Sequence, residues 1–210
     1  MNGGTLYRMV AAGLGAILLA IAPPAAAQQF SDGYKFLQAV DKRDMTAATE
    51  LLDAPGSTVA NSRDITNGRT GMHIAVDRRD VSWIQFLARR GANPNIRDNR
   101  GTTPMMRASQ LGFVEGVQAL IAAGARVDDT NDAGETPLIS AVHRRNSAMI
   151  RSLLAAGADA DRRDNSGRSA RDYAEQAGAR VQAEFKREEG DASAAESRPA
   201  APAETYGPSF

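Results

Sequence analysis

The chain contains no cysteine, which removes disulfides, thiol nucleophiles, thiolate zinc sites and cysteine-ligated iron–sulfur clusters from consideration. Aromatic residues are scarce, at 5% of 210 residues, so a large aromatic core is not expected. Net charge is missing too, because 25 basic side chains offset 25 acidic ones. Formal neutrality argues against a general binder of nucleic acid or of anionic membranes, although a local patch remains open. Lysine accounts for only three of the basic residues, a skew toward arginine that fits a GC-rich genome better than a function. Glycine and proline are plentiful by contrast: 28 together, enough to call for many turns.

Long apolar runs are absent apart from one at the start. Arg8 precedes the stretch Met9 to Ala22, Pro23 and Pro24 break any helix, and Ala25-Ala26-Ala27 supplies small residues. A charged start, a short apolar stretch and an A-x-A site together have the order of a secretory signal peptide. The 14 residues from Met9 to Ala22 are too few to span a hydrocarbon layer of ~30 Å. Cleavage is expected after Ala27, with residues 28–32 as a short linker, and the mature chain is expected in the periplasm or secreted. An uncleaved anchor is the alternative at this segment; after cleavage no membrane insertion is expected.

The remainder is organised by a repeat. Gly68, Gly101, Gly134 and Gly167 are spaced by 33 residues, and Thr70, Thr103, Thr136 and Ser169 keep the same interval. So do Ala75, Ala108, Ala141 and Ala174, while Gly-Ala pairs recur at 91–92, 124–125 and 157–158. Thr103-Pro104 and Thr136-Pro137 read as an N-cap followed by proline at the first helical position. A second helix is marked by Val117, Leu120 and Ile121 in one unit and by Ile150, Leu153 and Leu154 in the next. Gly124 and Gly157 end it. One turn, helix, turn, helix unit cannot bury its apolar face alone, so neighbours must stack.

These motifs resemble the ankyrin repeat. Gly134-Glu135-Thr136-Pro137-Leu138-Ile139-Ser140-Ala141 matches the opening of the family pattern, and Leu153-Leu154-Ala155-Ala156-Gly157-Ala158-Asp159-Ala160-Asp161 its close. The resemblance implies an all-α solenoid of helix-turn-helix units joined by β-turn loops. Its domain would cover 33–184, with full units at about 65–97, 98–130 and 131–163 and capping units at 33–64 and 164–184. Residues 185–210, rich in Ala, Glu, Ser and Pro, are expected to be a disordered tail.

Catalytic signatures are hard to find. No phosphate loop, Gly-x-Ser-x-Gly elbow or His-Glu-x-x-His occurs, and the two histidines, His73 and His143, stand far apart in the repeat. His73 matches the family histidine that hydrogen-bonds at the helix start. Asp128-Asp129 and Asp159-x-Asp161 fall where the family has solvated turn residues. Neither enzyme activity nor any cofactor or metal is therefore expected.

The resemblance implies instead a concave face that binds a protein partner through turn tips and first helices. Matching the family's variable positions one by one assigns Arg69, Asp77 and Arg78 in the second unit, with Thr66 and Asn67. The third contributes Asn99, Arg100, Thr102, Gln110 and Leu111, and the fourth Asp132, Ala133, Glu135, His143 and Arg144. Phe113 joins Leu111 either as an interface anchor or as a side chain folded against the adjacent unit. Lys42-Arg43, Arg78-Arg79 and Arg144-Arg145 would line up along one edge, as a basic stripe for an acidic partner or as a solvated face paired with Asp44, Asp77 and Asp80. Arg79 and Arg145 stand where the family usually has glycine, as Gly112 does here. A monomeric exported scaffold, adaptor or inhibitor is the leading expectation. Behind it stand an envelope accessory protein with a metal-dependent or enzymatic activity, and a tethering role for the tail.

Overall fold

The computed structural model describes residues 31–196, with side chains as far as Arg187. The expected signal peptide, most of the linker and the end of the tail lie outside the described residues. Within them the chain forms α1 (Asp32–Lys42), α2 (Met45–Asp53), a 3-10 turn at Val59–Asn61, α3 (Gly71–Asp77), α4 (Val81–Arg89) and α5 (Pro104–Leu111). It continues with α6 (Val114–Ala122), α7 (Pro137–His143), α8 (Ser147–Ala155), α9 (Ala170–Ala177) and α10 (Ala179–Glu196). No strand is present among the described residues, only isolated bridges at Arg63–Thr70 and Arg163–Ser169. This is the expected all-α repeat solenoid.

Stacking follows the repeat. The first helices α1, α3, α5, α7 and α9 pack in series, and the second helices α4, α6, α8 and α10 form a parallel row outside them. The small column Ala75, Ala108, Ala141 and Ala174 is buried throughout, which lets the inner helices approach closely. Trp83, Ile84, Leu87, Val117, Leu120, Ile150 and Leu153 fill the space between the rows.

Local chemistry sets the helix starts. Thr103 Oγ1 accepts from Met106 N at 3.2 Å and Thr136 Oγ1 from Ile139 N at 3.1 Å. Ser169 and Asp172 cap each other: Asp172 N donates to Ser169 Oγ at 3.2 Å, and Ser169 N donates to Asp172 Oδ2 at 2.9 Å. For the second helices Asp44, Asp80 and Asn146 supply the capping oxygen. Phe113 occupies the same place before α6 and has none to give.

The turns between first and second helices require a left-handed residue. Arg43 (φ 59°), Arg79 (φ 52°) and Arg145 (φ 52°) adopt it despite having side chains, as Gly112 (φ 66°) does in the third unit. Such a conformation costs an L-residue about 1–2 kcal/mol.

Both ends depart from expectation. Helix α1 starts at Asp32, with Ser31 as its cap, inside the segment assigned as linker. At the other end α10 runs to Glu196, so a helix replaces the disordered stretch expected from residue 185. Residues 179–196 contain no proline and are dominated by Ala, Glu, Arg and Lys, all strong helix formers. Missing apolar periodicity says little about whether a helix forms. Val181 and Phe185 are buried and fasten its first turns, where α10 packs against α8 and α9.

Candidate functional site

Successive fingers, the turns preceding the first helices, are tied to one another. Asn99 N donates to Asn67 O at 2.9 Å and Asn165 N to Ala133 O at 3.1 Å. Arg63 Nη2 reaches Arg97 O at 2.9 Å, and Arg97 in turn donates to Thr130 O. Between this row of fingers and the inner helices lies a concave cleft of about 410 Å³, lined by residues of three consecutive units.

The cleft brings together six of the expected residues: Arg69, Arg100, Thr102, Gln110, Asp132 and Ala133. His73, Asp98, Arg107 and Asn131 complete it. Asp77 ties its floor, because it pairs with Arg69 of its own unit and with Arg107 Nε of the next at 2.6 Å. Burial lowers the pKa of the Arg69 guanidinium, and nearby Arg107 and Arg100 lower it further. Arg69 also donates to His73 O at 3.2 Å. Arg100 differs: its backbone N donates to Asp98 Oδ1 at 2.8 Å, but its guanidinium has no hydrogen-bond or ion-pair partner among the described residues. The cleft therefore presents one arginine locked into the fold and one available to a visitor.

His73 is structural, as the family match implies. Its Nδ1 lies 3.1 Å from Thr70 N. A backbone N–H can only donate, so Nδ1 accepts and the proton resides on Nε2, which donates to Thr102 O at 3.0 Å. Burial lowers the pKa of this imidazole.

Several expected contact residues go elsewhere. Phe113 is only 4% exposed and is no surface anchor: its ring covers Gly116, where a Cβ would stand 2.2 Å from Phe113 Cδ1. Thr102 lines the cleft but is buried, and its polar backbone atoms are engaged by Asp98 and His73. Leu111 is half-buried against the core and, with Arg144, faces the seam between the two helix rows rather than the concave cleft. The shift has a simple cause, since both residues close the first helix of their unit and the chain is already turning outward there. Arg78 is tied to Asp41 of α1 at 2.7 Å. Glu135 and His143 face each other in the fourth unit at 3.4 Å, and the His143 ring meets Tyr173 edge-on at 4.4 Å between centroids.

The basic stripe divides. At one end Arg43 pairs with Asp80 at 3.0 Å, one of the expected partners, and Arg78 with Asp41, which is not, so this end has the solvated-pair arrangement. At the other end Arg79, Arg144 and Arg145 meet no carboxylate among the described residues. The Asp pairs after the Gly-Ala motif serve as turn acceptors: Asp128 Oδ1 takes Asp159 N at 3.0 Å and Asp159 Oδ1 takes Asp161 N at 2.9 Å. No group of three or more His, Asp or Glu stands close enough to hold a metal ion among the described residues. None of their helices is long and apolar enough to cross a membrane.

One exposed feature carries a signal in the spacing of the repeat. Ile65, 98% exposed, is an extra residue in the first finger. Asp64 and Asp98 are 34 apart although the following glycines keep 33, and the difference marks the insertion.

Comparison with known proteins agrees with this architecture. Residues 36–131 match a family model described as ankyrin repeats in three copies, and residues 120–174 one described as ankyrin repeats in many copies. The chain belongs to the ankyrin-repeat proteins. It is 30% identical over 84 residues to the human 2-5A-dependent ribonuclease, covering 40% of this chain and 11% of that protein. Over 59 residues it is 39% identical to an ankyrin repeat protein of Fowlpox virus (strain NVSL), covering 28% of this chain and 17% of the relative. The chain thus matches less than a fifth of the length of either relative.

Proposed function

We propose that this protein is an exported, monomeric binding module that holds a protein partner on its concave face, as scaffold, adaptor or inhibitor. The observation that carries the reading is the cleft spanning three consecutive units, in which Asp77 fixes Arg69 and Arg107 while Arg100 stays unpaired. An unpaired arginine held in a cleft between tied units is a side chain of the type that anchors interfaces, and it favours a partner segment bearing a carboxylate or a carbonyl-rich turn. Gln110, which also lines the cleft, supplies an amide contact beside it. Export rests on the N-terminal pattern of Arg8, the apolar run and Ala25–Ala27.

The test is affinity capture from an envelope extract of the source cell on the full chain, beside a bait carrying Arg100→Glu and Gln110→Glu. A partner held by the first bait and lost by the second, with circular dichroism unchanged, supports the reading. Equal retention by both removes the cleft from it. N-terminal sequencing of the protein from the envelope fraction tests export separately, with Gln28 the expected first residue.

A further inference from the structure

A second feature lies on the opposite side of the inner helices. The seam where first helices turn into second ones holds an open groove of about 520 Å³. Five arginines line it: Arg79, Arg144, Arg145, Arg151 and Arg180, with no acidic side chain among the lining residues. Arg79 Nη2 donates to Leu111 O at 2.5 Å and Arg144 Nη1 to Gln110 O at 2.9 Å, neutral acceptors that leave both charges uncompensated. The guanidinium groups of Arg145 and Arg180 make no hydrogen bond or ion pair among the described residues, and only Arg151 meets a carboxylate, Glu184 at 3.5 Å.

Helix α8 opens into the same groove. Its cap, Asn146, accepts from Met149 N at 3.1 Å, and the N–H groups of Ser147 and Ala148 are left without partners. Ser147 lines the groove at 7% exposure, and its hydroxyl has no hydrogen-bond partner among the described residues. The groove lining thus combines an unpaired buried hydroxyl with free N–H groups and four uncompensated guanidinium charges.

We infer that this seam groove binds a ligand carrying two linked phosphate groups. A single carboxylate offers one charge and two oxygens to a site with at least four unbalanced cations. A diphosphate supplies several charges, and its oxygens match both the guanidinium forks and a helix N-terminus. Arg79 and Arg144 are held in place by the backbone they bind, so the site is formed before the ligand arrives. Arg145 and Arg180 are free to close over it. The concave face is not involved, and the groove stands or falls independently of the protein partner proposed above.

Inorganic pyrophosphate is the probe, titrated calorimetrically into the full chain at low ionic strength with sodium sulfate and a hexaglutamate peptide as comparisons. Saturable 1:1 binding is expected, at least tenfold weaker in Arg145→Gln and Arg180→Gln, severalfold weaker in Ser147→Ala, and unchanged in Arg100→Gln. The three groove variants alter exposed or terminal positions, and a melting curve for each shows that it folds. Pelleting with vesicles containing a prenyl diphosphate, reversed by pyrophosphate, identifies a lipid-borne diphosphate as the source, whereas binding of pyrophosphate without pelleting identifies a soluble diphosphate; either upholds the site. Absence of saturable pyrophosphate binding overturns the inference, as does equal affinity for sulfate, a preference for hexaglutamate, or equal binding by the arginine variants.

Discussion

His73 Nε2 lies 3.0 Å from the carbonyl oxygen of Thr102, so a histidine in one repeat holds the finger of the next. Because burial lowers the pKa of His73, the folded state prefers neutral imidazole while the unfolded chain takes a proton near pH 6.5. Stability from this group is thus present above the unfolded value and is lost as pH falls toward the folded one. Thermal melts of the full chain are expected to shift downward between pH 7.5 and pH 5. His73→Gln should cost about 1–3 kcal/mol at neutral pH and flatten that pH dependence; a variant that retains the full slope assigns it to other groups.

Phe113 and Gly116 form a pair in which each accounts for the other. The ring occupies the cap position before α6, and a methyl at residue 116 would meet it at 2.2 Å. Gly116→Ala is expected to destabilise by about 1–3 kcal/mol, against the usual gain for alanine in a helix. With Phe113→Asn in place, the same change should become stabilising by up to about 1 kcal/mol. Urea denaturation of the four proteins of this cycle measures the coupling.

The repeat, its register and its caps were legible because they rest on local chemistry: Thr103 and Thr136 cap as their hydroxyls dictate, and Gly68, Gly101, Gly134 and Gly167 all take positive φ. Side-chain destinations were less so. Arg69 and Arg100 are both finger arginines, yet Arg69 is locked because Asp77 of its own unit holds it together with Arg107 of the next, while the Arg100 guanidinium meets no carboxylate among the described residues. That pairing bridges units and has no periodic trace. The seam groove was half visible as Arg144-Arg145, while Arg180 joins it only because α10 folds back beside α8.

Arg69 and Arg100 therefore respond differently to truncation. Arg69→Ala leaves Asp77 with Arg107 alone and should lower the melting temperature. Arg100→Ala, on an exposed tip, should leave stability within about 0.5 kcal/mol. Equal losses in the two variants would mean that Arg100 has a structural partner in solution.

Arg145 and Arg79 test what a left-handed arginine costs. Arg145→Gly removes the strain without losing a hydrogen bond, and a gain of about 1 kcal/mol is expected. Arg79→Gly removes the same strain but forfeits the donation to Leu111 O and the stack over the Phe113 ring at 5.8 Å, so its net gain should be smaller or reversed. The order of the two midpoints in urea decides the matter.

Stability should be greatest in the interior of the stack, because an inner unit is covered on two sides and an end unit on one. Leu153 is wholly buried on α8, which packs between α6 and α10, and Leu153→Ala should cost about 2–5 kcal/mol. Leu52 occupies the corresponding helix of the first unit but is only half-buried. Less apolar surface returns to water when it is truncated, and Leu52→Ala should cost under about 2 kcal/mol. Hydrogen exchange gives the same contrast without substitution: amides of α6 and α8 should outlast those of α2. If α2 exchanges as slowly as α8, the stack unfolds as one cooperative body and the first unit is no weaker than the rest.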